Sequence, residues 1–130
     1  MAFIIGSLIL AALLPVLVKS PLGYLQSKQP EGYDNRNPRA QQAALTGAGA
    51  RALAAHNNAF EAFPPFATGV LVALWAGADI KTMQILCAAH IVARILHAVF
   101  YLADVAPMRS LCWFIGLGAS IWLMCLALPA

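Results

Sequence analysis

Two runs of this chain carry polar and ionisable side chains on otherwise apolar sequence. RALAAHNNAFEAFPPF, residues 51–66, holds Arg51, His56, Asn58 and Glu61; downstream, His90, Arg94, His97 and Tyr101 are spaced 4, 3 and 4 apart, and Arg109 follows. At ~100° per helical residue, Arg51, Asn58 and Glu61 fall within an arc of roughly 80°, and the four residues of the second run within roughly 60°. An ionisable group inside a membrane span costs on the order of +2.5 to 3.5 kcal/mol on insertion scales, so each one is a functional candidate and must face protein or water. Ala54, Ala55 and Ala62 share the first face and leave room for a neighbouring helix or a ligand. His56 points well away from it and is expected to bond a neighbouring helix or subunit.

Other chemistries fit poorly. His90 and His97 would lie ~10 Å apart along one helix, too far to share an ion, and no partner cluster accompanies them or Cys87; no metal site is expected. The chain has no GxSxG, P-loop or GxGxxG run, and Ser110 has no base and orienter beside it. Cys87, Cys112 and Cys125 are odd in number and fall inside predicted helices, which predicts free buried thiols.

The elements that must position these groups are membrane spans. The chain has 130 residues, 62% hydrophobic and only 10% charged, with a mean hydropathy of +0.76; a soluble domain is about a quarter charged. Apolar segments at residues 2–18, 83–102 and 111–128 read as three spans, and residues 45–76, which contain the first run, as a fourth. The expected architecture is all-α: one domain over residues 1–130, a bundle of four transmembrane helices. The first segment lacks a basic region before its apolar stretch, so a retained span is expected rather than a signal peptide. Pro64-Pro65 should bend the second span and free carbonyls near residues 60 and 61, beside Glu61.

Connection one, residues 19–46, has the Pro, Gly, Asn and Asp of irregular backbone and carries Lys19, Lys28, Arg36 and Arg39. Arg109 lies near connection three, at the same membrane surface. The positive-inside rule makes that surface cytoplasmic and puts both termini outside. Net charge +3 and a pI near 9.0 follow from this asymmetry. The basic residues are too few, and too close to the bilayer, to suggest nucleic acid. In this topology Glu61 and Arg94 come to comparable depth, so they are expected to pair. Arg51, Asn58, His97, Tyr101 and Arg109 would line a shallower polar pocket open to the cytoplasmic leaflet.

These residues resemble a known family, the membrane-associated proteins in eicosanoid and glutathione metabolism (MAPEG). RALAAHNNAFEAFPPF looks like the family's Arg…Ala-His/Gln-x-Asn-x-x-Glu signature on its second helix. RILHAVFYLADVAPMRS, residues 94–110, resembles the Arg…His…Tyr…Arg-Ser run at the junction of its third and fourth helices. The resemblance spans nearly the whole chain. It departs at Ala50, where family members have Glu, and at Ala54, where they have an arginine that contacts glutathione.

The resemblance implies a homotrimer with glutathione as co-substrate at each subunit interface, near the cytoplasmic surface; the expected location is the cytoplasmic membrane of a bacterium. By position, Arg51, His56, Asn58, Glu61, Arg94, His97 and Tyr101 would belong to the glutathione site, His56 from the neighbouring subunit. Arg109 would be catalytic, holding the thiolate. The chemistry agrees, because glutathione has two carboxylates suited to arginine's bidentate fork, and a guanidinium lowers the pKa of a nearby thiol. The expected activity is that of a glutathione transferase or peroxidase acting on lipophilic electrophiles or lipid hydroperoxides. The competing reading is a non-catalytic lipid-binding or scaffold protein of the same fold, since fold does not fix function. A transport subunit would need a continuous polar stripe, which the first and fourth spans do not offer.

Overall fold

Apolar length sets the architecture of the computed structural model, which describes residues 1–128. The elements are α1 (Ala2–Ser27), α2 (Pro38–Ala43), α3 (Gly47–Trp75), α4 (Ile80–Leu102) and α5 (Ala106–Cys125), with no strand among the described residues. Three of them, α1, α4 and α5, are long and apolar enough to cross a membrane, with mean hydropathies of 2.4, 1.9 and 1.4. The expected fourth span, α3, is 29 residues long but does not join them. Arg51, His56, Asn57, Asn58 and Glu61 crowd its first half and lower its average. Large apolar side chains such as Leu13, Leu17, Leu71, Val92, Val99 and Phe114 are turned outward, as a lipid-facing surface requires.

The first helix and its connection differ from expectation. α1 runs on past Lys19 and through Pro21 to Ser27. A proline removes one backbone hydrogen bond, and membrane helices tolerate that loss where neighbours restore partners. Gln26, fully buried, anchors the chain that follows: its Nε2 donates to Pro38 O at 3.3 Å and to Gln41 Oε1 at 3.0 Å, and its Oε1 accepts from Gln42 Nε2 at 3.2 Å. The connection is therefore not wholly irregular. Asp34 Oδ1 accepts from the backbone N–H of Arg36 and Asn37 at 2.8 and 3.0 Å, leading the chain into α2. In the next helix, α3 continues unbroken through Pro64 and Pro65.

Two turns fix how α3, α4 and α5 follow one another. At the end of α3, Ala78 N–H bonds Ala73 O at 3.0 Å and Gly77 N–H bonds Leu74 O at 3.1 Å, with Gly77 at φ +70°. That is the Schellman pattern, and glycine suits its left-handed position. Asp79 then caps α4, accepting from Thr82 N–H at 2.8 Å and Thr82 Oγ1–H at 2.7 Å. The end of α4 repeats the pattern through Val105 N–H to Phe100 O at 2.9 Å, but with Asp104 at φ +62° where glycine is usual. The Asp104 side chain has its own use, an ion pair of 3.3 Å with Arg51 Nη1.

At the centre of the molecule, α3 packs on α1, α4 and α5, while α4 packs along α5 and also on α1. Small residues make the close approach possible, as membrane helix packing favours. Ala52, Ala55 and Ala59 are buried along α3, and Gly69 meets α5 so closely that a Cβ there would lie 2.7 Å from Ser120 O. The main apolar core, with Ile4, Phe66, Val70, Met83, Cys87 and Leu123, lies away from the basic end. Cys87 and Cys112 are buried as expected, but Cys125, on the last turn of α5, is exposed.

Candidate functional site

Helical phase on α3 and α4, together with the facing surface of α5, builds one cleft with two chambers. Asn58, Glu61, His90, Arg94, Trp113, Gly116 and Ser120 line the deeper chamber, a cavity of about 130 Å³. Asn58, His97, Tyr101, Arg109, Ser110, Trp113 and Phe114 line the shallower one, of about 320 Å³. Asn58 and Trp113 belong to both, so the chambers meet there.

In the deep chamber Arg94 is only 4% exposed. Its Nη2 donates to Asn58 Oδ1, and Asn58 Nδ2 donates in turn to Glu61 Oε2 at 3.3 Å. Arg94 and Glu61 therefore do not form the direct ion pair expected. They share the chamber, and Asn58 stands between them with one amide group facing each charge. The geometry suits an amide, which offers an acceptor to the guanidinium and donors to the carboxylate. Arg94 Nε is buried and has no hydrogen-bond partner among the described residues. The arginine stem lies against Gly116, where a Cβ would come within 3.0 Å of Arg94 Cδ.

His90 forms the chamber's inner wall. Its ring stacks on Phe66, with centroids 3.9 Å apart, and its Nδ1 lies 3.0 Å from both Gly116 O and Ser120 Oγ. A carbonyl can only accept, so Nδ1 carries the proton, while the Ser120 hydroxyl also donates to Gly116 O, at 3.0 Å. His90 thus ties α4 to α5.

At the mouth, the Arg109 guanidinium lies 4.5 Å from the centroid of the Tyr101 ring, and His97 meets the same ring edge-on at 5.4 Å. Stacking on an aromatic face orients a guanidinium without consuming its N–H donors.

The cleft thus gathers Asn58, Glu61, Arg94, His97, Tyr101 and Arg109. Arg51 and His56 stand outside both chambers. Arg51, one turn into α3, is held by Asp104 on the α4–α5 turn. His56 faces α1 and places Nδ1 2.8 Å from Pro15 O, which is the neighbouring-helix bond its phase predicts. Sequence reasoning missed the α5 wall of Trp113, Gly116 and Ser120. The i, i+4 pair of small residues at 116 and 120 was the available signal, masked because neither is ionisable.

Fold and site together define an integral membrane protein with a polar, arginine-bearing cleft enclosed by three helices. The chain belongs to the MAPEG family, whose family model matches residues 3–129, and so to a group concerned with glutathione and eicosanoid metabolism. No curated protein and no solved structure matches the chain significantly.

Proposed function

We propose that this chain is a membrane-bound glutathione transferase or peroxidase. It works as a homotrimer of four-span subunits, α3 being the fourth span, in a bacterial cytoplasmic membrane with the cleft open to the cytoplasm. The observation that carries the reading is the state of Arg94: a buried guanidinium with an amide but no carboxylate against it, and with Nε left without a partner. A buried cation with no carboxylate in direct contact is costly, and a ligand carboxylate offsets that cost by bidentate pairing. Arg109 stands at the other end of the same cleft, so a ligand with separated anionic groups can engage both cations.

Glutathione fits this division. Arg94, Asn58 and Glu61 hold its backbone, Glu61 accepting from its ammonium group, while Arg109 stabilises the thiolate. His97 and Tyr101 keep Arg109 in place. The thiolate attacks an electrophilic carbon of a lipophilic substrate and its leaving group departs with the electron pair. Toward a hydroperoxide it attacks the distal oxygen and releases the alcohol, and a second glutathione then gives the disulfide and water. Arg51 and His56 complete the site across the subunit interface, His56 through the ring nitrogen that Pro15 leaves free.

One observation favours a second reading, a non-catalytic lipid-binding or scaffold protein: Ala54 stands where family members supply a further arginine. Thiolate absorbance separates the two. Glutathione added to the purified protein is expected to produce a saturable ultraviolet thiolate signal, lost in Arg109→Ala. Binding without a thiolate signal in the wild type means the scaffold reading; neither binding nor signal overturns glutathione use altogether.

A further inference from the structure

On the side of the molecule away from Arg109, α1 and α4 run parallel with an open groove between them. Its inner part, about 440 Å³, is bounded by Phe3, Gly6, Leu10, Ala88, Ile91 and Val92. Ser7 also lines it, but its hydroxyl is turned back onto Phe3 O at 2.9 Å, which leaves the groove wall apolar. Phe3 and Ala88 continue into an outer part of about 430 Å³ that ends at Gln84 and Lys81. The groove exists because Gly6 and Ala88 are small: a Cβ built on Gly6 meets nothing within 4 Å.

Its dimensions match half a bilayer. From Lys81 to Val92 the groove runs ~16 Å along α4 at about 1.5 Å per residue, and half of a ~30 Å hydrocarbon core is about 15 Å. One end is cationic and lies at the membrane surface, and the other is apolar and lies near the midplane. Inside a bilayer no hydrophobic gain accompanies burial of an acyl chain, since the surrounding lipid is equally apolar. A resident chain must therefore be selected by fit and by its headgroup. Lys81 is exposed and supplies the positive charge; the Asp79 carboxylate two residues earlier keeps its negative charge but is turned onto Thr82 N–H and Oγ1–H.

We propose that this groove is a binding site for one acyl chain of an anionic phospholipid, its phosphate held by Lys81 and Gln84, in the leaflet opposite the arginine-bearing cleft. The proposal stands independently of the glutathione reading.

Native mass spectrometry of the delipidated protein, titrated with phosphatidylglycerol or phosphatidylcholine of matched chains, tests it. The wild type should retain one lipid per chain and prefer phosphatidylglycerol by roughly five-fold, the size of one lysine's contact with an anionic headgroup. Gly6→Leu places a Cβ that meets nothing within 4 Å, projects the rest of its side chain into the groove, and should abolish retention of both lipids. Lys81→Gln should keep one lipid but lose the preference. If Gly6→Leu retains lipid like the wild type, the groove is not the site. If that variant instead changes the subunit count, the groove seats a second copy of the chain. Either result overturns the proposal.

Discussion

Asn58 is the side chain through which Arg94 and Glu61 communicate, and the site's stability should depend on it more than on Glu61. Removing the amide leaves a buried guanidinium with no side-chain hydrogen bond among the described residues. Hydrogen bonds to charged groups contribute about 1.5–3 kcal/mol, so Asn58→Ala should lower stability by about that much in thermal unfolding. Glu61→Gln should cost less, because a glutamine oxygen can still accept from Asn58. Equal losses in the two variants would mean a direct ionic contact that the geometry lacks. Residue type and helical phase made most of the cleft legible: Asn58, Glu61, Arg94, His97, Tyr101 and Arg109 converge as their spacing predicts. The direct Glu61–Arg94 pair was not a sound inference. Phase and depth bring two side chains to one chamber, but they do not say which hydrogen-bonding group lies between them.

At the scale of elements, α3 touches every other long helix and sets the spacing. Gly69→Ala would bring a Cβ within 2.7 Å of Ser120 O and 3.0 Å of Leu123 Cβ. Backbone cannot yield as a flexible side chain does, so α3 and α5 must separate, at a cost of about 1–3 kcal/mol. Gly118→Ala is the matched control, because a Cβ there meets nothing within 4 Å; it should be neutral or stabilising in the same melting experiment. The α4 cap supplies a pH test. Backbone and side-chain hydrogen bonds from Thr82 hold the Asp79 carboxyl below its ordinary pKa of 3.8. A depressed folded-state value means that the cap's contribution is present above the unfolded pKa and is lost as pH falls through the folded one. Amide exchange at Thr82 should accelerate in Asp79→Ala at neutral pH, and in the wild type only in strong acid. Three spans, α1, α4 and α5, were legible from apolar runs, whereas the extension of α1 through Pro21 was not. It depends on Gln26 finding partners on α2, a tertiary contact that no local propensity encodes.

At the scale of the molecule, one end gathers the basic side chains. Lys28 ends α1, Arg36 and Arg39 flank the start of α2, and Arg109 opens α5. The arginine-bearing mouth lies at that end, and Lys81 marks the other. Charge asymmetry along the sequence foretold this polarity, because each long helix reverses direction and basic residues concentrate in alternate connections. Assembly leaves no such periodic trace. Arg51 and His56 are engaged within the chain, so a contribution to a shared site depends on the proposed trimer. The central claim is that the cleft binds glutathione through Arg94, and calorimetric titration of the purified assembly with glutathione tests it most directly. Saturable binding of about one glutathione per chain, weakened at least about ten-fold by Arg94→Gln (about 1.4 kcal/mol), is the predicted result. No saturable heat in the wild type, or undiminished affinity in a folded Arg94→Gln variant, would contradict it.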